Sequence, residues 1–66
     1  MINKVKEIRI ASSMTQQDLA DHLGVSRQTI FSIETGKYVP STILALKIAA
    51  LFNIKVEQVF TLEKND

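Results

Sequence analysis

"MTQQDLADHLGVSRQTIFSIETGKYVPS", Met14 to Ser41, holds two short helical patterns with almost nothing between them. "TQQD" at Thr15–Asp18 pairs a hydroxyl with an acid three residues on, the arrangement in which each side chain bonds the other's backbone amide at a helix start. A helix is therefore predicted over Gln16–Leu23, with Leu19, Ala20 and Leu23 facing inward and Met14 stapled opposite Leu19. Gly24 follows where a left-handed residue ends a helix, and Val25 plugs the gap after it. Ser26 caps the next helix, Arg27–Thr35, whose apolar residues Ile30 and Ile33 share one line while Phe31 lies off it. Gly36 ends that helix, and "KYVP" is extended because the residue before a proline disfavours helix.

The link Leu23-Gly24-Val25-Ser26 is so short that the two helices must cross steeply, which is the helix-turn-helix arrangement. Such a crossing needs a small residue early in its first helix (Ala20), a residue that takes the turn (Gly24), an apolar plug (Val25) and a branched apolar lock (Ile30), and all four are present. Outward from this unit, a first helix is predicted from Asn3 as cap to Ala11, with Val5, Ile8 and Ser12 on one side. Ser41 caps a fourth helix over Thr42–Phe52, with Leu44, Ala45, Ile48, Ala49 and Phe52 as its inner stripe and Asn53 at its end. A short fifth helix falls over Lys55–Phe60, and the tail around Thr61–Leu62 is either frayed or a short strand. The expected fold is all-α: five helices in one small domain spanning residues 1–66.

Composition narrows the function classes. With 66 residues, 45% of them hydrophobic, the chain must rely on a core. No cysteine is present for a disulfide or thiolate zinc site, and His22 alone does not make a metal site, so no metal and no cofactor are expected. His22, Glu7, Asp18 and Asp21 read as solvated or helix-start residues, and no nucleophile–base pair points to an enzyme. "GKY" lacks the glycine-rich loop of a nucleotide site. No stretch is long and apolar enough to span a membrane and no signal peptide is visible, so a cytoplasmic location is expected. The net charge is only +1, with five cations against four acids in residues 1–37 and three against three in residues 38–66. A polyanion partner would have to be met by a local patch.

That patch is on the second helix of the unit, whose N-terminal half and outer face carry Arg27, Gln28, Phe31 and Ser32. The major groove of B-DNA admits one helix; there Arg forks onto a guanine edge and Gln onto an adenine edge. Two such residues alone would read as an ordinary solvated turn, but on this architecture they point to double-stranded DNA. Phe31, next to Ile30, cannot share its inward direction, and it is placed on the outer face where a thymine methyl or a sugar meets its ring.

From Ile8 to Phe60 the chain resembles the Cro/C1-type helix-turn-helix repressors, the XRE family. Met14–Ser41 carries nearly every element of that pattern, and "SRQTI", "GKY" and "ALKIA" are similar to its compact members, in which the five-helix domain is the whole protein and binds operator DNA as a dimer. The resemblance implies that Gln16 clamps a phosphate, that Arg27 and Gln28 reach base edges with Ser32 one turn along, and that Thr29 faces the DNA backbone. It implies backbone contacts from Lys37 and Tyr38, and one from Ser41 through its hydroxyl or its helix N-terminus. It makes Arg9 and Glu34 a structural pair tying the first helix to the third. Val39 departs from the pattern, where many relatives carry a polar residue.

Beyond its inner stripe the fourth helix shows a second apolar face, Ile43, Leu46 and Ala50. Such a face is usually covered. A homodimer is expected to cover it through Ile43 and Leu46, the loop of Asn53, Ile54 and Val56, and the segment holding Phe60 and Leu62. A symmetric dimer also matches two half-sites one helical turn apart. The competing reading is a protein-interaction module, such as an antitoxin, whose fourth-helix face binds a protein partner. RNA binding is less suited, since no aromatic stacking surface is apparent. Operator, regulated gene, inducing signal and direction of regulation are not written in the residues.

Overall fold

A computed structural model describes all residues, Met1–Asp66. The elements run β1 (Ile2–Asn3), α1 (Val5–Ala11), α2 (Gln16–Leu23), α3 (Arg27–Glu34), α4 (Thr42–Leu51), α5 (Val56–Val59) and β2 (Phe60–Thr61). The three longest helices each begin on the predicted hydroxyl. Thr15 Oγ1 accepts the Asp18 amide at 3.0 Å while Asp18 Oδ2 accepts the Thr15 amide at 2.9 Å. The Thr15 amide, then its hydroxyl, hold the Asp18 carboxyl below its usual range, so it caps as an anion. Ser26 Oγ accepts from the Thr29 amide and Ser41 Oγ from the Leu44 amide, each at 3.1 Å.

Gly24 turns the chain between α2 and α3 at φ 71°, in the left-handed region where a side chain is strained. The Val25 amide then donates to Ala20 O at 3.0 Å, closing the end of α2. With so short a turn, α2 packs on α3 more extensively than any other two elements pack. Their inner faces meet α1, α4 and α5 in one core of Val5, Leu19, Ala20, Leu23, Ile30, Ile33, Leu44, Ile48, Ala49 and Val59. Each large side chain removed from water there contributes about 1.5–3 kcal/mol, before the entropy of ordering the chain is set against it.

At the ends, the short C-terminal strand that the sequence leaves open is present, and it has a partner strand that the sequence does not indicate. β1 and β2 pair antiparallel, Ile2 opposite Thr61 and Asn3 opposite Phe60. The tail is thus a strand, placed one residue earlier than Thr61–Leu62, with a partner at the far end of the chain. Two residues a side make a weak ladder on their own. This one is continued by the Lys4 amide on Val59 O at 2.8 Å and is anchored where Val5 and Val59 enter the core. Asn3 is drawn into β1, so α1 starts at Val5 instead of following an Asn3 cap. Asn3 Oδ1 still accepts from the Val5 amide at 3.3 Å, and its Nδ2 donates to Ile33 O at 3.0 Å, stitching the N-terminus to α3.

Inside α1 the buried residues are Val5 and Arg9, with Ile8 half-buried and Ser12 exposed. An apolar period misses this because a charged side chain occupies an inner position. Helix ends also shift by a residue or so. Thr35 and Phe52 are C-terminal caps, Lys55 precedes α5, and Phe60 has joined β2.

Candidate DNA-binding surface

α3 sends Ile30 and Ile33 into the core, leaving Arg27, Gln28 and Phe31 exposed and Thr29 and Ser32 half-buried. The loop after α3 does not lead away from this face. Gly36 takes φ 77°, and the amides of Lys37 and Tyr38 both donate to Ser32 O, at 2.9 and 3.2 Å. The reversal brings Lys37 and Tyr38 beside the helix they have just left, so Gln28, Thr29, Ser32, Lys37 and Tyr38 line one shallow groove. Lys37 Nζ lies 5.9 Å from the centre of the Phe31 ring, within cation–π range. At 38% exposed, Phe31 is neither core nor freely projecting, in agreement with its placement on the outer face.

The Ser41 hydroxyl accepts from Leu44, which leaves its own hydrogen free to donate outward. Ser41 shares a second groove, between the α2–α3 turn and α4, with Thr29, Tyr38, Ile43 and Lys47. Lys47 is a member of this groove that the sequence reading does not name. The available signal is its position four residues after Ile43, one helical turn along the same face. The two grooves share Thr29 and Tyr38, and together they offer hydroxyl, amide and ammonium donors, with the exposed Arg27 guanidinium next to Gln28 on α3. Such a set suits hydrogen bonds to base edges and phosphate oxygens.

The predicted Arg9–Glu34 pair is present. Arg9 Nε donates to Glu34 Oε2 at 2.7 Å and Nη2 to Oε1 at 3.2 Å, with 10% and 2% of the side chains exposed. Arg9 Nη1 donates to Met14 O at 2.8 Å, so one guanidinium ties α1 to α3 and to the entry of α2. Gln16 turns out to be part of this cluster, donating from Nε2 to Glu34 Oε1 at 3.2 Å. That bond spans two helices and has no local signature.

The residues expected at a subunit seam lie on α4 (Ile43, Leu46), in the loop after it (Asn53, Ile54), on α5 (Val56) and in the C-terminal segment (Phe60, Leu62). Leu46, Val56 and Phe60 line an apolar groove with Val39, Pro40 and Ala45, whereas Ile43 lies in the groove that holds Tyr38 and Ser41. Ile43, Leu46 and Leu62 are 69%, 53% and 77% exposed; Asn53 is exposed, and Ile54 is half-buried against the core. Val39, which departs from the family pattern, is 64% exposed and lines the apolar groove.

Two helices packed together across the short Gly24 turn, the second with donors on its exposed face, define a helix-turn-helix DNA-binding protein. The helix-turn-helix family HTH_3 matches residues 5–59, and the chain belongs to that family, of the XRE type. It is 53% identical over 66 residues, all of both chains, to an HTH-type transcriptional regulator of Methanocaldococcus jannaschii. It is 50% identical, again over all of both chains, to one of Bacillus subtilis. Among solved structures it is similar to the restriction-modification controller protein C.AhdI from Aeromonas hydrophila, with a TM-score of 0.77, 28% identity and 85% of each chain covered. The protein is a transcriptional regulator with a helix-turn-helix DNA-binding domain. No helix is long and apolar enough to cross a membrane.

Proposed function

We propose that the protein is a homodimeric repressor of a near-palindromic operator, with α3 lying in the major groove. The observation that carries this is the outer face of α3, where exposed Arg27, Gln28 and Phe31 adjoin a groove that the following loop completes with Lys37 and Tyr38. In this reading Arg27 and Gln28 bond base edges, Ser32 lies one turn further on, and the Phe31 ring meets a thymine methyl or a sugar. Gln16, Thr29, Lys37, Tyr38 and Ser41 contact the sugar-phosphate backbone and set the register of α3. Occupying the operator then blocks polymerase.

Two substitutions separate these roles. Lys37→Ala is expected to weaken binding to operator and random duplex alike and to lower the slope of log K against log salt by about 0.9 per subunit. Binding titrations from low to moderate salt check this; an unchanged slope removes Lys37 from the phosphate contacts. Phe31→Ala removes a side chain that is not core, so it is expected to cost about 1 kcal/mol of stability or less while reducing DNA affinity by a larger free energy. Thermal melts beside binding titrations decide, and a collapse of the melt would return Phe31 to the core.

The proposed seam runs along α4 from Ile43 and Leu46 to Asn53, Ile54 and Val56, then to Phe60 and Leu62. Its support is the apolar groove between α4 and α5 and the exposure of Leu46 beside it. Sedimentation equilibrium at micromolar concentration is expected to give a dimer with or without duplex. Monomer under both conditions excludes this arrangement.

A further inference from the structure

The buried carboxylate of Glu34 accepts from more than its ionic partner. Its Oε1 takes a hydrogen from Arg9 Nη2 and another from Gln16 Nε2, each at 3.2 Å, while Oε2 takes Arg9 Nε at 2.7 Å. Gln16 is the first residue of α2 and is half-buried, so its amide stands at the boundary between this cluster and solvent. Only the nitrogen end of a primary amide can face a carboxylate, because its oxygen would be repelled. Glu34 therefore selects the orientation of the Gln16 amide, commits one N–H inward and leaves the other for an outside acceptor. The backbone N–H groups of Gln16 and Gln17 lie at the same end of α2, in the first turn where no helical carbonyl precedes them. Asp18 already sets one carboxylate in that turn, on the Thr15 amide, and the N–H groups of Gln16 and Gln17 are the ones that face an outside acceptor.

A free glutamine side chain loses much rotamer freedom when it binds. Here part of that ordering is complete before DNA arrives, and Glu34 is itself fixed by two bonds from Arg9, whose third is to Met14 O. We propose that Glu34 is a positioning residue for DNA binding, holding the Gln16 amide of α2 oriented to donate to a backbone phosphate. This rests on the reading of Gln16 as a phosphate contact.

The test is a double-mutant cycle on affinity for a labelled duplex that the wild-type protein has selected from a random pool. Glu34 alone cannot be removed safely, since a buried Arg9 would be left unpaired. The background is therefore Arg9→Met with Glu34→Leu, an apolar pair of similar size of the kind that replaces a buried ion pair at little cost. Folding of every variant is checked by circular dichroism. In the wild type, Gln16→Ala is expected to weaken binding about tenfold per subunit, the worth of a hydrogen bond to a charged group. It should leave the salt slope unchanged, because an uncharged amide releases no counterion. In the Arg9→Met, Glu34→Leu background the same substitution is expected to change affinity less than about twofold, the coupling expected of groups in one network. By NMR the Gln16 side-chain amide protons are expected to be shifted from free glutamine in the wild type, where one faces Glu34, and to return to free-glutamine positions in that background.

A full Gln16→Ala effect in both backgrounds overturns the positioning role and leaves Gln16 as a phosphate contact. No effect in the wild type removes Gln16 from the contact and overturns both. If the apolar pair does not fold, the NMR arm is read on Glu34→Asp, which shortens the acceptor and is expected to shift the same amide protons; unmoved protons in that variant overturn the proposal.

Discussion

Arg9→Met alone is expected to unfold most of the protein at ordinary temperature. The substitution strands the Glu34 carboxylate, 2% exposed, with only the Gln16 amide as donor. Breaking a buried pair by removing one partner costs about 3–5 kcal/mol. A domain of this size rarely has more than about 3–5 kcal/mol in total. The two magnitudes are comparable, so the loss is close to the whole stability of the fold. Changing Glu34→Leu in the same chain removes the stranded charge and is expected to restore most of the melting temperature. Thermal and urea melts of the wild type, the single and the double variant check this. A single variant that loses about 1 kcal/mol or less, with no recovery in the double, would show that the pair is solvated and does not join α1 to α3.

Gln28→Ala is expected to have the largest effect on recognition. A bidentate contact between an amide side chain and a base edge discriminates by about 1–3 kcal/mol. In a symmetric dimer the residue acts twice, so the combined loss is about 2–6 kcal/mol. Gln28 is exposed on α3 and its loss opens no cavity, so the melt is expected to stay nearly unchanged. Competition binding against duplexes altered one base pair at a time is the measurement. Preference at one position in each half-site should disappear while other positions keep theirs. Equal loss on operator and random duplex would place Gln28 on the backbone instead.

The parts of the fold legible in the residues are those governed by local chemistry. Thr15 with Asp18, Ser26, Gly24 and Ser41 act within a few residues of themselves, and each takes its expected role in the structure. β1 was not legible because two residues show no period and their partner lies 58 or so positions away in sequence, a pairing only the finished core enforces. Only the family resemblance marks Arg9 as structural, since no apolar pattern reveals a charged side chain that faces inward. The Gln16–Glu34 bond depends on how α2 crosses α3 and has no trace in either helix alone. The division of the α4 surface, with Ile43 in one groove and Leu46 in another, depends on what packs beside that helix. The outer face of α3 was readable because Ile30 and Ile33 leave Arg27, Gln28 and Phe31 no other direction.

We propose that α3 reads base sequence in two symmetric half-sites. Selection of bound duplexes from a random pool, followed by sequencing, tests it most directly. The expected result is a near-palindrome with half-site centres about one helical turn apart. The same selection with Gln28→Ala should lose information at one position in each half. Recovery of random sequence by the wild type, with affinity set by salt alone, would contradict the account.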